Sequence, residues 1–177
     1  MQLVDRKSFL WEYLQPDIQK LLTDGELLVQ IFSEDSNSQT RVDDFSFMVF
    51  PFAKAYEGFL KKLFLDIKVI QYDEYYGDDI RIGRVLNPQY QKEVGNVFAK
   101  MCAHSPSRGG IVQHLWDAWK DGRNLVFHYF PHNYKRLSFE DAMTLINKLL
   151  HAMSLAVIGC DLKEYQARIH KATSTII

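Results

Sequence analysis

Apolar positions recur at helical spacing through most of this chain. The clearest stretch is DDFSFMVFPFAKAYEGFLKKLFLDIKVI, where apolar side chains fall at positions 45, 48, 49, 52, 56, 59, 60, 63, 64 and 67. That is the i, i+3, i+4, i+7 pattern of a helix with one wide buried face. Asp43 or Asp44 suits its N-terminus, and Pro51 fits its first turns, since deeper in the helix it would cause a kink. A second long helix is expected from about Ile111 to Phe130, with Leu115, Ala118, Trp119, Val126 and Phe130 along one broad side and Pro131 as its stop. Ser138 opens another with SFED, a near capping box in which Asp141 takes the usual Glu position. That helix runs on through AMTLINKLLHAMSLAVIGC. Nearer the start, Ser8–Leu14 predicts a short helix. Pro16 opens the next, which runs toward Phe32 with an interruption near Gly25.

Between these elements the period fails. SEDSNSQTRVDD is a polar loop and HSPSRGG a turn. Residues 71–88, QYDEYYGDDIRIGRVLNP, are punctuated by Gly77, Gly83 and Pro88. They predict a structured loop with a strand-like piece around IRIGRVL. Residues 89–103 predict a modest helix. The fold class is therefore all-α, a four- or five-helix bundle with a structured loop after its second long helix. A length of 177 residues fits one domain over 1–177.

Composition narrows the function classes. Hydrophobic residues make up 47% and aromatics 14%, enough to fill a core and to argue against disorder. Lys plus Arg number 21 against 22 Asp plus Glu, so the chain as a whole is no basic polyanion binder. A nucleic-acid surface must be a local patch, or be made by pairing two subunits. Cys102 and Cys160 lie far apart without CxxC spacing, which argues against a zinc site or a disulfide framework and fits a reducing cytoplasm. The N-terminal stretch MQLVDRKSFLWEYLQ carries charges and lacks the apolar core of a signal peptide. The run AMSLAVIGC is short against a bilayer core of about 30 Å, so no membrane association is expected. GxxxxGKS, GxSxG and HExxH do not occur.

The chemistry that stands out is in DGRNLVFHYF, residues 121–130, where Arg123, Asn124 and His128 interrupt a hydrophobic stretch. On an ideal helix Asn124 and His128 lie about 40° apart, and Arg123 and His128 about 140° apart. One helix makes a thin site, and two brought together make a dense one. A structural ion pair or solvated edge is the plain reading. The sharper one is cleavage of an RNA phosphodiester, in which the RNA supplies its own 2′-hydroxyl nucleophile. A histidine whose ordinary pKa is about 6.5 can take that proton near neutral pH. A guanidinium can hold two phosphoryl oxygens and stabilise charge in the transition state. An amide can donate to phosphate or orient the histidine. This chemistry needs no metal and no cofactor.

RNLVFH resembles the signature of the HEPN superfamily, an arginine followed after four to six residues by a histidine, with a polar residue next to the arginine. Its place on the penultimate long helix of a helical chain is similar as well. PFAKAYEGFLKKLF resembles the earlier helix of the HEPN domain in RNase LS-type toxins, which makes Glu57 the position of their glutamate. The resemblance covers roughly residues 43–160. It implies a metal-independent endoribonuclease of a toxin–antitoxin or related defence system, and a homodimer whose motif helices face each other across a composite cleft. It further implies His128 as general base, Arg123 on the scissile phosphate, Asn124 beside it, and Glu57 orienting Arg123 or His128. Phe130 stands where some HEPN toxins carry a tyrosine open to nucleotidylation, so a protein antitoxin covering the cleft is the expected control.

Other residues read more plainly. Glu57 and Lys61 make an ordinary i,i+4 surface pair. His128 and His132 are four apart but separated by Pro131, which makes a metal pair a coincidence of spacing. YDEYYGDD reads as a solvated acidic loop. Trp11, Trp116 and Trp119 are expected in the core or a dimer interface, ahead of base stacking. The rival to the enzyme is a non-catalytic helical module that binds protein or RNA.

Overall fold

In the computed structural model, residues 1–34, 41–90, 109–128, 131 and 136–159 are described. They form seven α-helices and no strand: α1 (Phe9–Tyr13), α2 (Pro16–Glu34), α3 (Ser46–Asp66), α4 (Tyr72–Tyr76), α5 (Ile82–Leu86), α6 (Gly109–Trp119) and α7 (Phe139–Gly159). The all-α expectation holds for the described residues. The helix expected over 89–103 falls outside them beyond the 3-10 turn Pro88–Tyr90, as do Cys102, His104, Tyr129, Phe130, His132 and Cys160.

α3 is the central element. It packs against α2 on one side and α7 on another, and α7 in turn packs against α6 and α1. Every apolar position that marked α3 in the sequence is buried except Ile67, which lies just past its end. Pro51 sits inside the helix, early, where only one backbone hydrogen bond is forgone. Helix α3 stops at Asp66, short of the apolar run that follows. Lys68 adopts φ 58°, and the amides of Val69 and Lys68 fold back onto the carbonyls of Phe64 and Leu65 at 2.7 and 3.0 Å. This is a Schellman-type stop.

Helix α2 runs unbroken through Gly25, contrary to the interruption expected there. A Cβ on Gly25 would lie 2.5 Å from Phe52 Cε2. The glycine is a contact point that lets α3 approach closely, and the neighbouring contact of Ile18 with Gly58 repeats the device in antiparallel register. The strand-like reading of IRIGRVL is also corrected. Ile82, Val85 and Leu86 are the buried side chains of the short helix α5, which rests on α6 and α3. Their i, i+3, i+4 spacing outweighed the β-propensity of Ile and Val. The loop expected at 71–77 holds α4, where the Glu74 carboxylate accepts from Gln71 N–H at 2.7 Å.

Helix α7 begins as SFED predicts. Asp141 N–H donates to Ser138 Oγ at 3.0 Å and Ser138 N–H to Asp141 Oδ2 at 3.3 Å. By length and composition alone α7 could cross a membrane, with a mean hydropathy of 1.4 over its best window. Here it serves as a core helix: Ala142, Ile146, Leu149, Met153 and Ala156 are fully buried against α3 and α6.

Candidate active site

The long helix expected from Ile111 to Phe130 is shorter and less regular than its periodicity suggested. Helix α6 ends at Trp119 and passes into one π turn, Lys120–Asn124, closed by Leu125 N–H donating to Lys120 O at 2.9 Å. His128 lies beyond it, outside any helix. The angles of an ideal helix therefore do not apply to Arg123 and His128. Two contacts seat the turn on α7. Gly122 is buried, and a Cβ there would lie 2.9 Å from Leu149 Cγ. Lys148 Nζ donates to Asp121 Oδ2. A π turn within an α-helix is a rare arrangement that clusters at functional sites.

The turn carries Arg123 across to α3. Its Nη2–H donates to Glu57 Oε2 at 3.2 Å, and its Cζ stands 5.1 Å over the Trp119 ring. Glu57 thus meets the arginine, the first of the two partners expected for it. Both side chains keep about a third of their surface exposed, 36% and 32%, so the pair is open to solvent and to a ligand. A guanidinium has five N–H donors; one serves Glu57, and the fork can hold a phosphate at the same time. His128 is exposed and pairs with Asn124, with Nε2 and Asn124 Oδ1 at 3.1 Å. With Oδ1 as acceptor, Nε2 carries the proton. The four candidate residues thus form two pairs, Arg123–Glu57 and Asn124–His128, joined through the adjacent backbone of Arg123 and Asn124.

The same segment lays a second contact along α3. Phe127 meets Phe50 edge-to-face at 5.6 Å. Phe50 is one residue of the stripe Phe50, Lys54, Glu57, Lys61, spaced to lie along one face of α3. Phe50 is 54% exposed, and Phe47, Leu125 and Phe127 are exposed as well. The candidate pair is thus bordered by aromatic surface left open to solvent. Scattered single apolar residues would need no explanation, but neighbouring aromatic ones mark contact surfaces.

No known family model, curated protein or solved structure matches this chain. The site must therefore be judged on its own residues.

Two further contacts hold the site's supports in place. Tyr56 O–H donates to Leu115 O at 2.8 Å, tying α3 to α6 one turn before Trp119. Burial pushes the phenol well above its ordinary value of 10.0. At the start of α3, Asp44 Oδ1 accepts from Ser46 N–H, Ser46 Oγ–H and Leu137 N–H, while Phe45 N–H donates to Leu137 O. Burial works against the Asp44 charge, but these hydrogen bonds and the nearby Arg136 outweigh it and hold its pKa below the ordinary 3.8.

Spacing did not reveal the cleft beside Arg123 and Asn124, formed between α5, the Pro88–Tyr90 turn and α6, with Arg84, Asn87, Tyr90 and Trp116 among its walls. These residues come from segments that share no sequence pattern, so only the tertiary fold collects them.

Proposed function

We propose that this protein is a metal-independent endoribonuclease built on a HEPN-like helical bundle, and that it acts as the toxin of a toxin–antitoxin or related defence system. The observation that carries the reading is the π turn that brings Arg123 onto Glu57 and sets Asn124 against His128. Cleavage begins with attack of the RNA 2′-hydroxyl oxygen on the adjacent phosphorus. His128 takes the hydroxyl proton. Arg123 holds the non-bridging oxygens as negative charge gathers there. The bond to the 5′-oxygen breaks, leaving a 2′,3′-cyclic phosphate on one product and, once protonated, a 5′-hydroxyl on the other. Glu57 acts as a positioning residue through Arg123, and Asn124 sets the orientation of the His128 ring. Two subunits meet along the aromatic surface that borders the Arg123–Glu57 pair, so that two such sets line one cleft, and a protein antitoxin covers it.

The test is cleavage of RNA in chelator-containing buffer by the wild type, His128→Ala and Arg123→Ala, with product ends mapped. Each substitution is expected to lower the rate by about a hundredfold or more while melting temperature stays within a few degrees of wild type. Equal cleavage by all three proteins, or none by the wild type, would leave the second reading: a helical binding module whose exposed aromatic surface around Phe50 and Phe127 docks a partner.

A further inference from the structure

Next to the Arg123–Asn124 segment lies a cleft of about 420 Å³, within the range of about 300–1,000 Å³ typical of ligand pockets. We propose that it seats one nucleobase of the RNA beside the scissile phosphate, so that the substrate is RNA unpaired at that nucleotide. The inference rests on the ribonuclease reading of Arg123 and His128.

Three features of the cleft fit a base. Its walls include Trp116, Trp119 and Tyr90, and every nucleobase has a π face that stacks on such rings. Trp116 is half-buried and Tyr90 exposed, which suits rings that hold a guest at the surface. Its polar groups are Arg84, Asn87 and Asn124. The amides carry donors and acceptors as base edges do, and the Arg84 guanidinium, 5.8 Å over the Tyr90 ring, can stack on or donate to a base. Gly83 lies against Trp119, where a Cβ would come within 2.8 Å of Nε1, so the backbone of α5 closes one side without a side chain in the way.

Placement ties the cleft to the candidate chemistry. Trp119 lines it and also lies under the Arg123 guanidinium. Asn124 lines it and also pairs with His128. A phosphate on Arg123 would therefore have its own nucleotide one side chain away from the aromatic walls. A base inside a duplex is stacked and paired on both sides and cannot enter such a pocket, whereas loops and single strands can splay a base into it.

The experiment uses His128→Ala as the parent, to block cleavage, and measures fluorescence anisotropy with a labelled RNA oligonucleotide, single-stranded and as a duplex of the same sequence. Single-stranded RNA is expected to bind the parent more tightly than the duplex. Trp116→Ala and Tyr90→Ala should each weaken single-strand binding about tenfold, leave duplex binding unchanged, and be largely rescued in the case of Trp116→Phe. Thermal melting checks each fold, and the exposed Tyr90 provides a substitution that leaves the core intact. Single-strand affinity unchanged in both alanine variants overturns the proposal, as does equal weakening for the duplex. If the wild type still cleaves RNA under that result, the ribonuclease reading stands without the base pocket; a parent that binds no RNA overturns both.

Discussion

At the scale of single residues, the Arg123–Glu57 pair separates positioning from stability. An ion pair this exposed contributes about 0–1 kcal/mol. Glu57→Ala is therefore expected to leave the urea midpoint nearly unchanged while lowering RNA cleavage, because the guanidinium loses its anchor. Loss of cleavage in step with loss of folded protein would remove that role. Glu26 is the opposite case. It is only 5% exposed, and it collects the amides of Leu3 and Val4 at 2.8 and 3.0 Å together with Arg6. Glu26→Ala strips a buried guanidinium and two amides of their acceptor, and a loss of about 3 kcal/mol in unfolding free energy is expected. Asp44 sets an acid limit. Its pKa is lowered in the folded chain, so the unfolded chain binds the proton first as pH falls below 3.8. Its contribution is complete above that pH and is lost beneath it, and Asp44→Asn should flatten the acid side of a stability profile.

At the scale of elements, what the sequence displayed was burial, and what it hid was closeness. The i, i+3, i+4 positions of α3 and the SFED start of α7 could be read because each depends on local spacing and local hydrogen bonds. Gly25 read as a breaker because its reason for being glycine, the Phe52 ring, is 27 residues away in sequence. The end of α6 was illegible for the same reason. Leu115, Ala118 and Trp119 continue in helical phase to Val126, and nothing local announces the π turn. The contact that requires a small residue there is Leu149 on α7. Arg123, Asn124, His128 and Glu57 could be found as residue types at a spacing; that Glu57 pairs with Arg123, while His128 pairs with Asn124, could not. Gly122→Ala tests the turn. In an exposed helix the change would stabilise by up to about 1 kcal/mol, but here the added methyl meets a fully buried leucine. A loss of about 1–3 kcal/mol is expected from thermal unfolding, and a gain would show that the turn is free to move off α7.

At the scale of the whole molecule, the near balance of 21 basic and 22 acidic residues gives no general attraction for RNA. Binding must come from local cations such as Arg123, Arg84, Lys54 and Lys61, doubled if two subunits face each other. Phe50→Glu tests this. It places a charge on the exposed ring that borders Arg123, and sedimentation is expected to shift from dimer toward monomer with cleavage falling in parallel, while Arg123, Glu57 and His128 remain in place. A dimer that persists with full activity would put the contact elsewhere.

The wider turn at Lys120–Asn124 also bears on how this segment tolerates change in length. A π turn holds one residue more than an α turn. Excising a single residue between Lys120 and Asn124 would let the spiral continue at ordinary pitch, rotating whatever follows by about 100°. Phe127 and His128 would swing away from α3 although no side chain with a chemical role had been touched.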